Sequence, residues 1–416
     1  MDPRSSQEVR EAFSSSQVTL PSDPSSNWRT RLGVALLAGV AVLAQSVWTP
    51  LILGLADLTD FTQRDWIQFF RTGNRLREGL TEILYVKDFS GGTLPEFEDR
   101  FFFLYPPFMA WLTVPLGYLG PLGAYAACIT TVLTTTLLAT SGLLAALRTS
   151  ALQRLMSFLA LVGSAPWNAA VFLGHFSSIL LVSPALALWA WTRRRPVLAG
   201  VSLGVLLTKP NWGLPMLVLL LAGRRWKMVA GFLACGLALV ILSLPLGPQL
   251  WGDWWQTMSG YRELVAQTTP RKQFTLLATI RGFTGELGSH PLVLGIWVPL
   301  AGIFMTWTAW IWARRSREPE LFPRILAVSF LAILTSNPYA YVYDVLLAIP
   351  AALVLWTVPT AWAGPTLRRW AKGVSLVAYV LCYVQLLGAL GGLGSAVGLA
   401  LAVWLALELV DLGMNT

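Results

Sequence analysis

Lys209 is the first side chain to explain, because it is the only Lys or Arg between Pro196 and Gly223. An ammonium isolated at membrane depth is costly, and it demands an anionic partner or a route to the surface for its long stem. Asp65 opens the stretch Asp65-Trp66-Ile67-Gln68-Phe69-Phe70-Arg71-Thr72-Gly73-Asn74-Arg75. A carboxylate there either caps a helix or stands ready to accept a proton. His175, one of 2 histidines, lies between two apolar runs in Phe172-Leu173-Gly174-His175-Phe176-Ser177-Ser178. Asp344 follows the polar aromatic patch Ser336-Asn337-Pro338-Tyr339-Ala340-Tyr341-Val342-Tyr343. Each serves equally as a hydrogen-bonded structural group or as part of a pocket. Arg271-Lys272 beside Phe274 offers paired positive charge, which suits a phosphate or a solvated loop.

The chain that must position these residues is 416 residues long, 55% hydrophobic and 12% charged, with a mean hydropathy of +0.60. Soluble domains carry about 25% charged residues. In hydrocarbon only helices and closed barrels satisfy every backbone polar group, and the apolar runs here are continuous rather than alternating. An all-α, polytopic membrane protein follows. The net charge of +9 is divided among short clusters between apolar runs, which reads as orientation signals and gives no support for nucleic acid. Cys128, Cys235 and Cys382 fall inside apolar runs without paired spacing, so neither a disulfide framework nor a metal site is indicated. No phosphate-binding GxxxxGK[ST] loop is present.

Residues 1–27 are polar and Ser-rich and read as a disordered cytoplasmic tail; residues 28–416 read as one polytopic transmembrane domain. The first apolar run is too long for a removable signal peptide and is taken as the first membrane helix. Runs at roughly 32–54, 121–147, 155–170, 176–192, 196–209, 212–223, 228–246, 291–313, 322–336, 343–358, 373–390 and 392–412 predict about 12 crossings. The two around Lys209 are short enough to be half-helices. The basic clusters at Arg29/Arg31, Arg148/Arg154, Arg193–Arg195, Arg224–Lys227, Arg314–Arg317 and Arg368–Lys372 all belong in the cytoplasm. Both termini are then cytoplasmic, with outer loops at about 55–120 and 247–290. This requires residues 102–120, with Pro106, Pro107 and Pro115, to lie at the outer interface rather than to cross. The segment from Asp65 to Gly79 has an apolar face of Trp66, Phe69, Phe70 and Gly73, and is predicted to lie flat on the bilayer as an interfacial helix.

Taken in order, these landmarks resemble the polyprenol-phosphate-sugar-dependent glycosyltransferases of the GT-C fold, in particular the mannosyltransferase-like glycosyltransferase family 87. The matching pieces are Asp65, Trp66, Phe69, Phe70, Gly79 and Tyr85, then Phe103, Tyr105, Pro106, Pro107 and Phe108. Gly174, His175 and Ser177 follow, then Ala199, Gly200, Lys209 and Pro210, then Arg224-Arg225-Trp226, and last Asn337, Pro338, Tyr339 and Asp344. Many relatives carry Gln where His175 stands, and a His within the patch that reads Tyr339 to Tyr343 here.

The resemblance implies an inverting transfer of a hexose, mannose in the nearest reading, from a polyprenyl phosphate to a lipid or glycan acceptor on the extracytoplasmic face of the cell membrane. It implies Asp65 as general base and Lys209, Arg271 and Lys272 as the donor phosphate site. Asp60, Tyr105, His175, Asn211, Tyr339 and Asp344 then form the substrate pocket. No cofactor or metal is expected, since the sugar arrives activated on its lipid. Two other readings remain at this stage, a secondary transporter with Lys209 and Asp344 at its midplane and a flippase for polysaccharide or lipid. The halves show no self-similarity to favour the transporter.

Overall fold

The computed structural model describes residues 26–43, 64–85, 103–268, 273–284, 291–358, 365–391 and 396–414. Proline sets most of the helix starts. Its fixed φ suits the first turn, where its missing N–H is not needed, and it occupies one of the first two positions in nine of the seventeen described helices. In chain order the described helices are α1 (Ser26–Leu43), α2 (Trp66–Arg77), α3 (Pro107–Gly117), α4 (Pro121–Ala146), α5 (Ala151–Val162), α6 (Ala165–Leu173), α7 (Val182–Thr192), α8 (Pro196–Gly204) and α9 (Pro210–Ala222). They continue as α10 (Trp226–Ser243), α11 (Gln249–Thr268), α12 (Leu276–Thr284), α13 (Pro291–Arg315), α14 (Phe322–Ser336), α15 (Ile349–Thr357), α16 (Pro365–Gly391) and α17 (Val397–Met414). Tight 3-10 turns lead into α7 (Phe176–Leu181) and α15 (Val342–Ala348) and extend α8 (Val205–Thr208). Among the described residues there is no strand, and one isolated antiparallel bridge joins Gln273 to Tyr341.

The all-helical expectation holds, and fewer described helices than the twelve apolar runs are long enough by themselves to span a bilayer. By length and composition 4 described helices suffice to span a bilayer, and the pair α5 and α6, bent by 58°, makes a fifth. The run at 373–390 lies in the 27-residue α16, and five further runs between Phe176 and Thr357 fold as apolar helices of 10–17 residues. Proline and 3-10 turns interrupt them, so that irregular backbone falls beside buried polar side chains rather than facing lipid. Residues 107–117 form a helix of 11 residues, about 16 Å at 1.5 Å per residue, too short to cross a hydrocarbon core of about 30 Å.

Helix α2 departs from its expected setting. Its apolar face is covered by protein: Trp66, Ile67, Phe69 and Gly73 are buried, and Phe69 stacks on Phe176 at 4.2 Å. Gly73 meets Gly117 of α3 so closely that a Cβ on Gly73 would stand 2.1 Å from the Thr113 carbonyl oxygen. Periodicity identifies an apolar face but not what covers it.

A buried ion cluster ties α14 to α17. The Arg324 guanidinium donates through Nε and Nη2 to Glu408 Oε2 at 2.9 and 2.8 Å and through Nη1 to Asp411, and all three side chains are almost fully buried. Two carboxylates divide one planar donor fork, a geometry that lysine does not reproduce. Arg324→Lys is expected to lower stability by about 1.5–3 kcal/mol, as a drop in the thermal midpoint of the purified protein. An unchanged midpoint would show that the fork contributes nothing beyond its charge.

Candidate active site

The polar residues singled out in the sequence converge where the helix ends near Leu173, Thr208 and Ser336 meet the first turns that follow them. Lys209 stands in extended backbone (φ −125°, ψ 94°) between the 3-10 end of α8 and Pro210 of α9, so two short helices do meet at this lysine. Its Nζ donates to Asp344 Oδ1 at 2.7 Å and to Ser177 Oγ at 2.6 Å. Ser177 Oγ in turn donates to the same Asp344 oxygen at 2.8 Å, and the Tyr341 N–H reaches Asp344 Oδ2 at 3.1 Å. The anionic partner demanded by a lysine at this depth is therefore supplied by the chain itself. Asp344 is 1% exposed, so its charge depends on these donors. An ammonium has three N–H groups; two are committed to Ser177 and Asp344.

His175 forms the second half of the network. Its Nδ1 accepts from the Ser177 N–H at 3.1 Å, which leaves the proton of the neutral ring on Nε2, 3.1 Å from the Tyr105 hydroxyl. Nε2–H therefore donates to the Tyr105 oxygen, and the phenol O–H is itself a donor into the site. Burial, and then the nearby Lys209 charge, hold the His175 pKa well below its ordinary value, so the imidazole is neutral. The ring stacks on Tyr343 at 3.7 Å.

Asp65 occupies the N-cap position of α2, yet its side chain makes no capping hydrogen bond and its own backbone is already helical (φ −58°, ψ −26°). Its carboxylate instead lies within electrostatic range of the Tyr105 and Tyr343 phenols. Burial first, then Asp344, then Asp65, raises the Tyr105 pKa well above the ordinary value, which keeps that hydroxyl protonated. Asp65, Tyr105, His175, Lys209 and Asp344 thus belong to one cluster.

Asn211 and Tyr339 lie beside it: Asn211 Nδ2 donates to Asn337 Oδ1 at 3.2 Å, and the Tyr339 N–H donates to the same oxygen at 2.9 Å. Asp60, Arg271 and Lys272 fall outside the described residues. The bridge between Gln273 and Tyr341, with the Phe274 N–H donating to the Ala340 carbonyl at 2.8 Å, brings the start of α12 to the site. Sequence reasoning missed Arg281 on α12, which is 4% exposed, donates to Gln273 Oε1 at 3.4 Å and faces Tyr339 electrostatically. It missed the role of Tyr343 as well. The signal for Arg281 was a basic residue amid Leu276, Leu277, Ile280 and Phe283, the same signal that marked Lys209.

Gly174 sets the approach. It ends α6 in left-handed backbone (φ +61°), and a Cβ there would come within 2.8 Å of Trp66 Cβ and 3.2 Å of Cys128 Cβ. Gly174→Ala is expected to cost about 2–4 kcal/mol from backbone strain and overpacking together, and to shift His175 against α2. A thermal midpoint equal to the wild type would show that α2 yields freely. A separate apolar cavity of about 350 Å³ is lined by Val345, Leu346 and residues of α15 as far as Trp356 and Thr357, and by none of the clustered polar side chains.

The model of glycosyltransferase family 87 matches residues 103–337, more than half of the chain. The chain belongs to glycosyltransferase family 87. The match contains Tyr105, His175, Ser177, Lys209 and Asn211, while Asp65 and Asp344 lie on either side of it. No curated protein and no solved structure matches the chain. The family assignment makes this protein a glycosyltransferase, and its apolar helices make it a membrane protein.

Proposed function

We propose that this family 87 enzyme transfers a hexose, mannose in the first instance, with inversion from a polyprenyl phosphate to a hydroxyl of a lipid or glycan acceptor on the extracytoplasmic face. The observation that carries the reading is Asp65, a carboxylate at a helix start that makes no capping bond and lies within electrostatic range of the Tyr105 and Tyr343 phenols, near Lys209 and Asp344.

In this mechanism Asp65 takes the proton of the acceptor hydroxyl as its oxygen attacks the anomeric carbon. The bond from that carbon to the phosphate oxygen breaks on the opposite side, its electron pair leaves with polyprenyl phosphate, and the anomeric configuration inverts. The departing phosphate needs donors that strengthen as its charge grows. Lys209 supplies its remaining N–H, Arg271 and Lys272 supply further charge, and the Tyr105 hydroxyl, oriented by His175, supplies a neutral donor. Arg281, at the same edge, is a further source of positive field.

Purified protein incubated with radiolabelled polyprenyl-phosphate hexoses and a lipid extract tests the reading. Transfer of label from the mannosyl donor, persisting in a chelator, is the expected result. Labelling from a nucleotide sugar and from none of the polyprenyl donors would overturn it.

A further inference from the structure

At the helix ends opposite the active site, the last turns of α7, α9 and α13 meet the first turns of α10 and α14. Arg225, just before α10, lies over Trp191 with its Cζ 4.9 Å from the ring centroid, and Trp191 stacks on Phe322 at 3.9 Å. The aromatic pair fixes the plane of the guanidinium. Its Nε and Nη2 are hidden from solvent and have no hydrogen-bond partner among the described residues. The Ser316 hydroxyl, on a fully buried residue just past α13, is in the same condition. A Cβ on Gly223 would stand 3.0 Å from Ser316 Oγ, so this hydroxyl faces the turn that carries Arg225.

The charge balance at this point is one-sided. Arg317 lies close enough for its charge to act against that of Arg225. Glu318, next to Arg317 in sequence, is held by Arg315 at 3.0 Å. Buried N–H groups of a guanidinium without an acceptor are expensive, and an arginine fork matches two oxygens of one anion. Carboxylate oxygens would satisfy the fork alone. The fork, the hydroxyl and a second cation together match a tetrahedral oxyanion.

We propose that Arg225, Ser316 and Arg317 form a phosphate-binding site at the end of the helix bundle remote from the glycosyl-transfer site. A phosphate ester or its free inorganic form fills it, with Arg225 bidentate, Ser316 donating and Arg317 supplying charge. It is separated from Lys209 by the length of α9, 13 residues or about 20 Å, so it does not take part in the transfer chemistry.

The test is the thermal midpoint of purified protein in an uncharged maltoside detergent, titrated separately with inorganic phosphate and with short-chain phosphatidylglycerol. A saturable rise with inorganic phosphate assigns the site to a free phosphate compound, and a rise with phosphatidylglycerol alone assigns it to a lipid headgroup; either supports the proposal. Arg225→Gln, and Arg225→Lys, which keeps the charge but not the fork, are expected to raise the half-saturating concentration by at least about tenfold. Should either fail to fold, Ser316→Ala is expected to raise it about fivefold. No saturable rise with either anion, or the same titration in wild type and variants, would overturn the proposal.

Discussion

Asp65→Asn is expected to lower glycosyl transfer by at least about 100-fold while the protein inserts and folds normally. Asn has the shape of Asp and is as good at a helix N-cap, so a purely structural role at the start of α2 predicts a nearly normal enzyme. The geometry sharpens the contrast, because the Asp65 side chain makes no capping bond to be lost. What Asn cannot do is accept a proton from an acceptor hydroxyl. The measurement is the initial rate with a saturating polyprenyl-phosphate hexose, alongside the thermal midpoint. Asp57→Asn and Asp60→Asn, eight and five residues earlier, control for the charge of the loop. Loss of activity in Asp60→Asn with retention in Asp65→Asn would move the base to Asp60. Retention in all three would remove the central residue of the mechanism.

The candidate site was legible because lipid makes isolated polar residues informative. Lys209 needed an anion, and its charge in a run of Leu, Val and Gly was visible without coordinates. Which anion was not visible: Asp344 is 135 residues further on, and nothing in the spacing distinguishes a carboxylate of the chain from a phosphate of the substrate. The same limit hid the cluster of Arg324 with Glu408 and Asp411, whose partners are 84 and 87 residues apart. Asp65 shows the opposite case, since a sequence can place a carboxylate at a helix start but cannot say whether the side chain turns back onto the helix.

The fold was legible in class and less so in the number of crossings. Hydropathy finds apolar runs, and each described run is helical; it does not find the bend between α5 and α6 or the 3-10 turns that shorten α7, α8 and α15. Those interruptions are where His175, Ser177, Lys209 and Asp344 sit. The residues that shorten the helices and those that build the site are thus neighbours for one physical reason. Backbone that leaves the helix at membrane depth must lie within protein or line a cavity, and polar side chains are needed there to satisfy it.

Lys209→Ala is expected to damage both folding and transfer, and a second substitution separates the two effects. Removing the ammonium leaves the Asp344 carboxylate buried with Ser177 and the Tyr341 N–H as its donors among the described residues, a loss of about 3–5 kcal/mol for a broken buried pair. Changing Asp344 to Asn in the same chain removes the stranded charge while an amide oxygen can still accept from Tyr341. Most of the thermal stability should return. Transfer should not, because in the proposed mechanism the N–H that Lys209 offers the donor phosphate is still missing, a charge-assisted bond of about 1.5–3 kcal/mol or about ten- to a hundredfold in donor use. The KM for the polyprenyl-phosphate donor and the thermal midpoint are measured for wild type, each single variant and the double variant. If the double variant recovers donor KM and rate together with stability, Lys209 acts only by neutralising Asp344, and the phosphate must be held by other cations. If stability returns and donor use does not, the ion pair is the holder of a lysine whose remaining hydrogen-bond capacity is used by the substrate.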